Sequence, residues 1–136
     1  QYKTGLASGE FLLTHGYSGD LMLVQSENDD IQIAVPEEGS ALSFDDMAIP
    51  TAAKQVDLAH KFIDFVLDPQ VAAELTEFIY FLCPNAASYE LLSEEIRSDP
   101  ILFPPPEVVA KLEMIGDLGD QNVKYTRLWD AIKAGE

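Results

Sequence analysis

The spacing of apolar residues along the chain changes period once, near Pro50. Before it, apolar residues come in short runs. Phe11-Leu12-Leu13 lies between Gly9 and Gly16, and Ile31, Ile33 and Val35 fall on alternate positions. A short apolar run between glycines predicts a buried strand over 10–14, and β-branched alternation predicts another over 31–35. Residues 1–8 read as a helix closed by Gly9. Ser18 is the expected N-cap of a helix through Gln25, with Asp20 in its first turn. Pro36 ends the second strand, and Glu37-Glu38-Gly39 makes a turn. Ser40–Ile49 is expected to be an extended crossover strand. Proline lacks a backbone donor and holds the preceding Ile49 extended, so the strand stops at Pro50.

After Pro50 the period is helical. Val56, Ala59, Phe62, Ile63 and Val66 recur at spacings of three and four, with Asp57, Lys61, Asp64 and Asp68 on the other side. Asp68-Pro69 is a helix start, an N-cap followed by proline at the first helical position. That helix carries Val71, Ala72, Leu75, Phe78 and Ile79 and ends in the loop Tyr80-Phe81-Leu82-Cys83-Pro84-Asn85. Short helical turns are expected over 86–92 and 93–96. A proline-started helix is expected over 106–115, and a last amphipathic helix over 122–134, with Val123, Leu128, Trp129 and Ile132 apolar.

Composition narrows the classes. At 136 residues, with 47% hydrophobic and 24% charged, the chain suits one globular unit with a real core. No apolar run is long enough to span a bilayer. The net charge of −16, 24 acids against 8 Lys and Arg, excludes a nucleic-acid binder, because phosphates would be repelled. The single cysteine, Cys83, rules out an intrachain disulfide and a cysteine zinc site and reads as a packed small side chain. The chain opens at Gln1 in mid-helix, with no basic stretch and apolar core of a signal peptide, and is expected to be a processed or truncated piece.

Candidate chemistry points to binding. Gly16-Tyr17-Ser18-Gly19-Asp20 is a broken nucleophile elbow, since its last position needs glycine. His15 lies too close in sequence to Ser18 for triad geometry, and His60 sits on the solvent side of a helix. No enzyme, cofactor or metal site is therefore expected. Two places pair a ring with a carboxylate in a turn or hinge: Tyr17 with Asp20, and Phe44 with Asp45. A third, Tyr80-Phe81, is aromatic only. Carboxylates and ring faces together suit organic ammonium ions. The same residues also fit the plain reading of core aromatics and surface helix caps, and the pattern alone leaves both open.

At these residues the chain resembles the C-terminal part of the bacterial periplasmic spermidine/putrescine-binding proteins, the receptors of polyamine ABC importers. The similarity is carried in order by Ala7-Ser8-Gly9-Glu10 with Gly16-Tyr17-Ser18-Gly19-Asp20, and by the turn Val35-Pro36-Glu37-Glu38-Gly39. It continues in the crossover Phe44-Asp45-Asp46-Met47-Ala48-Ile49-Pro50 and the helix pair from Ala59 to Ala72. Pro84-Asn85-Ala86-Ala87 and Leu128-Trp129-Asp130-Ala131-Ile132-Lys133 complete it. The resemblance implies an α/β fold, part of a two-lobed type II periplasmic binding protein, represented here by a helix-rich C-terminal fragment. It implies that 1–44 belongs to the second lobe, 45–90 crosses to the first, and 91–136 returns to the second. Tyr17 and Phe81 would then be aromatic walls, Asp45 and Asp20 amine-binding acids, and Ser43 a rim position where the family usually carries a ring. Ile115 replaces a polar side chain found in some members. The implied function is capture of a putrescine- or spermidine-like cation in the periplasm and delivery to ABC permease subunits. The alternative is a degenerate sensor or interaction module without a transport role. Apolar faces left bare in such a fragment are expected either to rearrange or to be covered by a swapped homodimer.

Overall fold

The computed structural model describes residues 2–135. The chain begins with helix α1 (Tyr2–Ala7), which Gly9 closes at φ +75. Gln1, the first residue of the expected helix, lies outside the described residues. Helix α2 (Ser18–Glu27) follows. Its N-cap is Tyr17, not Ser18, and no side chain caps it. Ser18 already has helical geometry, so its hydroxyl is not placed to accept from the first turn.

The apolar run 10–14 forms no strand. Phe11 instead folds back on α1, its N–H donating to the Gly5 carbonyl at 2.9 Å. Leu12 and Leu13 are 96% and 90% exposed. The segment 31–35 is also without a ladder. Ile31 is buried, and the Gln25 side-chain amide donates to its carbonyl at 2.7 Å. Both segments have strand-like sequence, but a strand needs a neighbour, and among the described residues the sheet has two strands only. These are β1 (Ser40–Leu42) and β2 (Leu112–Met114), parallel, with Ser40 opposite Leu112 and Leu42 opposite Met114. The crossover strand is therefore three residues long, and 43–50 runs on without pairing.

Two devices fix the short pair. Gly39 takes φ +117 and presses against the Lys111 carbonyl, where a side chain would collide. The Lys111 ammonium donates to the Glu37 carbonyl at 2.6 Å. The expected helix over 106–115 consequently ends early. Helix α7 (Pro106–Val109) is one turn, and the chain then extends into β2, whose ladder supplies the backbone bonds a longer helix would have made.

Apart from 106–115, the segments expected to be helical after Pro50 contain helices, though not always over the full expected length. Helix α3 covers Val56–Val66 and α4 covers Pro69–Ile79. Asp68 caps α4, accepting from the backbone of Gln70 at 3.0 Å and Val71 at 3.3 Å. Helices α5 (Ala86–Tyr89) and α6 (Glu94–Ser98) are short, the latter capped by Ser93. A 3-10 turn (Gly119–Gln121) leads into α8 (Asn122–Ala134).

The core is small. Met22 of α2 and Ala73 of α4 converge with Leu92, Ile96 and Leu102, and Ile33, Tyr80, Leu82, Tyr89, Ile101 and Phe103 pack around them. The Tyr89 and Phe103 rings meet edge to face, 5.4 Å between centroids. This core draws on all three sequence segments, 1–44, 45–90 and 91–136.

Candidate functional site

The site is built where the N-terminus of α2 meets the loop after α4. Gly19, in the first turn of α2, is buried, and the Phe81 ring lies directly on it. Any side chain at 19 would collide with that ring. Gly16 is covered in the same way by the Tyr2 ring and the Leu21 side chain. The glycines of this turn are therefore contact surfaces for rings, which the broken elbow motif does not suggest.

Phe81 is held in place from behind. Tyr80 ends α4 in the left-handed region at φ 56, which turns the chain sharply off the helix. The fully buried Thr76 hydroxyl accepts from the Cys83 N–H at 3.3 Å. Asn85 donates its side-chain amide to the Leu67 carbonyl at 2.6 Å and accepts from Ala87 N–H at 3.1 Å. The loop is thus tied to both ends of α4, and its ring position follows from the helix.

The Phe81 ring thus lies on the turn that carries Tyr17, which stands two residues before the Gly19 contact. Both rings keep open surface, 61% for Tyr17 and 39% for Phe81. Asp20 shares the turn but faces α1. The Tyr2 hydroxyl donates to one carboxylate oxygen, and the Lys3 ammonium donates to the other at 3.0 Å. The Tyr2 hydrogen bond and then the Lys3 contact hold the Asp20 carboxyl below the usual carboxylate range. Burial, then the bond to Asp20, pushes the Tyr2 phenol up. Sequence reading placed Asp20 beside a ligand and missed these two partners. The one available signal was a Tyr-Lys pair on the preceding helix.

Ser43 and Asp45 lie on the unpaired stretch after β1, both exposed, with Phe44 between them 60% exposed. Among the described residues no hydrogen bond ties either to Tyr17, Asp20 or Phe81. The structure therefore brings together three of the five sequence-named residues. Separately, an open groove of ≈ 600 Å³ lies along β1 and β2, lined in part by Glu38, Glu113, Met114, Ile115 and Tyr125.

The turn at the N-terminus of α2 thus has the Tyr2 ring on Gly16 and, from a distant loop, the Phe81 ring on Gly19. The sequence profile of the bacterial extracellular solute-binding proteins matches residues 1–104, and the chain belongs to that family. It is the helix-rich part of a two-lobed α/β substrate-binding fold.

Individual relatives narrow the group. The whole chain is 35% identical to the putrescine-binding periplasmic protein SpuD of Pseudomonas aeruginosa, covering 39% of that protein. It is 31% identical to the putrescine-binding periplasmic protein PotF of Escherichia coli, again over all of this chain and 39% of the relative. Among solved structures, the spermidine/putrescine ABC transporter substrate-binding protein PotD of Streptococcus pneumoniae superposes with a TM-score of 0.82. There the identity is 29%, over 98% of this chain and 42% of that one. The chain spans about two fifths of the length of the curated relatives it matches.

Proposed function

We propose that this chain is the C-terminal part of a periplasmic receptor that binds a polyamine of the putrescine or spermidine type and delivers it to an ABC importer. It acts as a binder and not as an enzyme. The observation that carries this reading is the seating of Phe81 on Gly19. It places two exposed rings at one turn, in a chain related over its full length to putrescine-binding proteins. Ring faces attract an alkylammonium and cover its methylenes, at about 0.5–2 kcal/mol per good contact. Asp45, exposed on the crossover, supplies the carboxylate for an ammonium end, and Ser43 leaves that side of the cleft without a ring.

The lobe assignment belongs to the same proposal: 1–44 in the second lobe, 45–90 crossing to the first, 91–136 returning. Calorimetric titration of the full-length receptor with putrescine and spermidine tests it. Saturable binding is expected, and Asp45→Ala should weaken it by about 2–5 kcal/mol, as when one partner of a desolvated charge pair is removed. Unchanged affinity in the variant removes Asp45 from the site. For the chain as given, the bare apolar faces favour a swapped homodimer. Light scattering should report twice the 15.0 kDa of one chain, and a single-chain mass at all concentrations removes the dimer.

A further inference from the structure

Glycine stands at position 19 although the backbone there does not require it. Gly19 lies in the first turn of α2 with helical geometry, which alanine adopts more readily than glycine. What excludes a side chain is the Phe81 ring. A β-carbon at 19 would overlap the Cδ2, Cε2 and Cζ carbons of that ring, and its three nearest neighbours all belong to Phe81. Gly39 is the contrast. There the overlap is with the Lys111 carbonyl at the start of β2, and φ is +117, so the backbone itself demands glycine.

The two sides of the Gly19 contact differ in what can give way. The helix is fixed: Gly19, Met22 and Val24 are its buried residues, and Met22 belongs to the core. The loop behind the ring is fixed as well. The Tyr80 N–H donates to the Thr76 carbonyl at 2.8 Å, and the Cys83 N–H donates to the Thr76 hydroxyl at 3.3 Å. The ring between those two anchors is still partly open to solvent. A methyl group at 19 would therefore turn the Phe81 ring about its own side-chain bonds, at low cost to the fold.

We propose that Gly19 is a positioning residue. Its missing side chain sets where the Phe81 ring stands, and so sets the affinity for an amine, without itself touching the ligand. This rests on the amine-receptor reading, in which Phe81 is a wall of the site, and on no assignment of the acids.

The test is calorimetric titration with putrescine and with spermidine of the full-length receptor, its Gly19→Ala and Phe81→Ala variants and the double variant, with a thermal melt of each. Gly19→Ala is expected to melt where the parent does and to bind about tenfold more weakly, the size of one ring–cation contact. In the Phe81→Ala background the same change should alter affinity by less than about twofold, because the ring it displaces is gone. Equal losses in both backgrounds, or no loss in either, overturn the role of Gly19 and leave the receptor reading standing. A Gly19→Ala receptor that melts well below its parent shows that the fold yields and not the ring, which also overturns that role. Failure of the unaltered receptor to bind either amine overturns the receptor reading and this role with it. A second readout needs no ligand. The NMR signal of Gly19 should move on Phe81→Leu, as the local field of the ring is lost. A stationary signal shows that the ring is not seated on Gly19, and overturns the proposal.

Discussion

Helices α2, α4, α5 and α6 with the segments beside them, and helix α8 beyond the β1–β2 pair, all carry apolar side chains but bury very different shares of them. In the first region Met22, Ala73, Leu92, Ile96 and Leu102 are all buried. In the second, α8 has no buried residue, and Val123, Leu128, Trp129 and Ile132 are 53–61% exposed. Helix α3 shares this state: its stripe is well formed, yet Phe62 and Phe65 remain 58% and 60% exposed. Local hydrogen bonds close a helix wherever the sequence allows it, but burial requires a second apolar face. The first region has its opposing faces within this chain. The second and α3 do not, in a chain two fifths the length of its relatives.

Leu92→Ala tests the comparison most severely. Leu92 is 4% exposed at the junction of α5 and α6, and its removal leaves a cavity among Met22, Ala73 and Ile96. A loss of about 2–5 kcal/mol is expected in chemical denaturation. A loss under about 1 kcal/mol would mean that the core is loosely packed and the contrast between the regions is weaker than the exposures say.

A smaller effect separates the regions by pH. The folded chain holds the Asp20 carboxyl below its ordinary value, through Tyr2 and then Lys3. A carboxyl with a depressed folded-state pKa binds fewer protons when folded. Its stabilisation is therefore present above the unfolded-state value, about pH 4, and is lost as pH falls through the folded value. The urea midpoint should decline below about pH 4, and Asp20→Asn should flatten part of that decline. An identical profile in the variant would assign the acid sensitivity to other carboxylates.

The same division explains what could be read beforehand. The limits of α3, α4 and α8 were legible because their signals are local: the three-and-four spacing, the Asp68-Pro69 start, the run after Gly119. The strands at 10–14 and 31–35 were misread because a strand's evidence lies in its partner, and a sequence pattern names no partner. The helix expected over 106–115 failed likewise, since β2 is decided by Ser40–Leu42, far away in the chain. The site divides in the same manner. Tyr17, Phe81 and Asp45 were singled out as candidates by residue type and by the family resemblance. The contact of Phe81 with Gly19 and the clasp of Tyr2 and Lys3 on Asp20 were not, because both depend on how α1, α2 and the loop after α4 pack.

The smallest expected effect is the most direct probe of the bare region. Leu128 is 61% exposed on α8, so Leu128→Ala removes few contacts, and alanine is the better helix former. At dilutions where light scattering gives the mass of one chain, the change in unfolding free energy should stay within about 0.5 kcal/mol. A cost of about 2 kcal/mol or more that grows with protein concentration would show a second copy covering this face, because binding stabilises by mass action. The same cost without concentration dependence would mean that α8 is packed within its own chain, and the contrast between the two regions would fall.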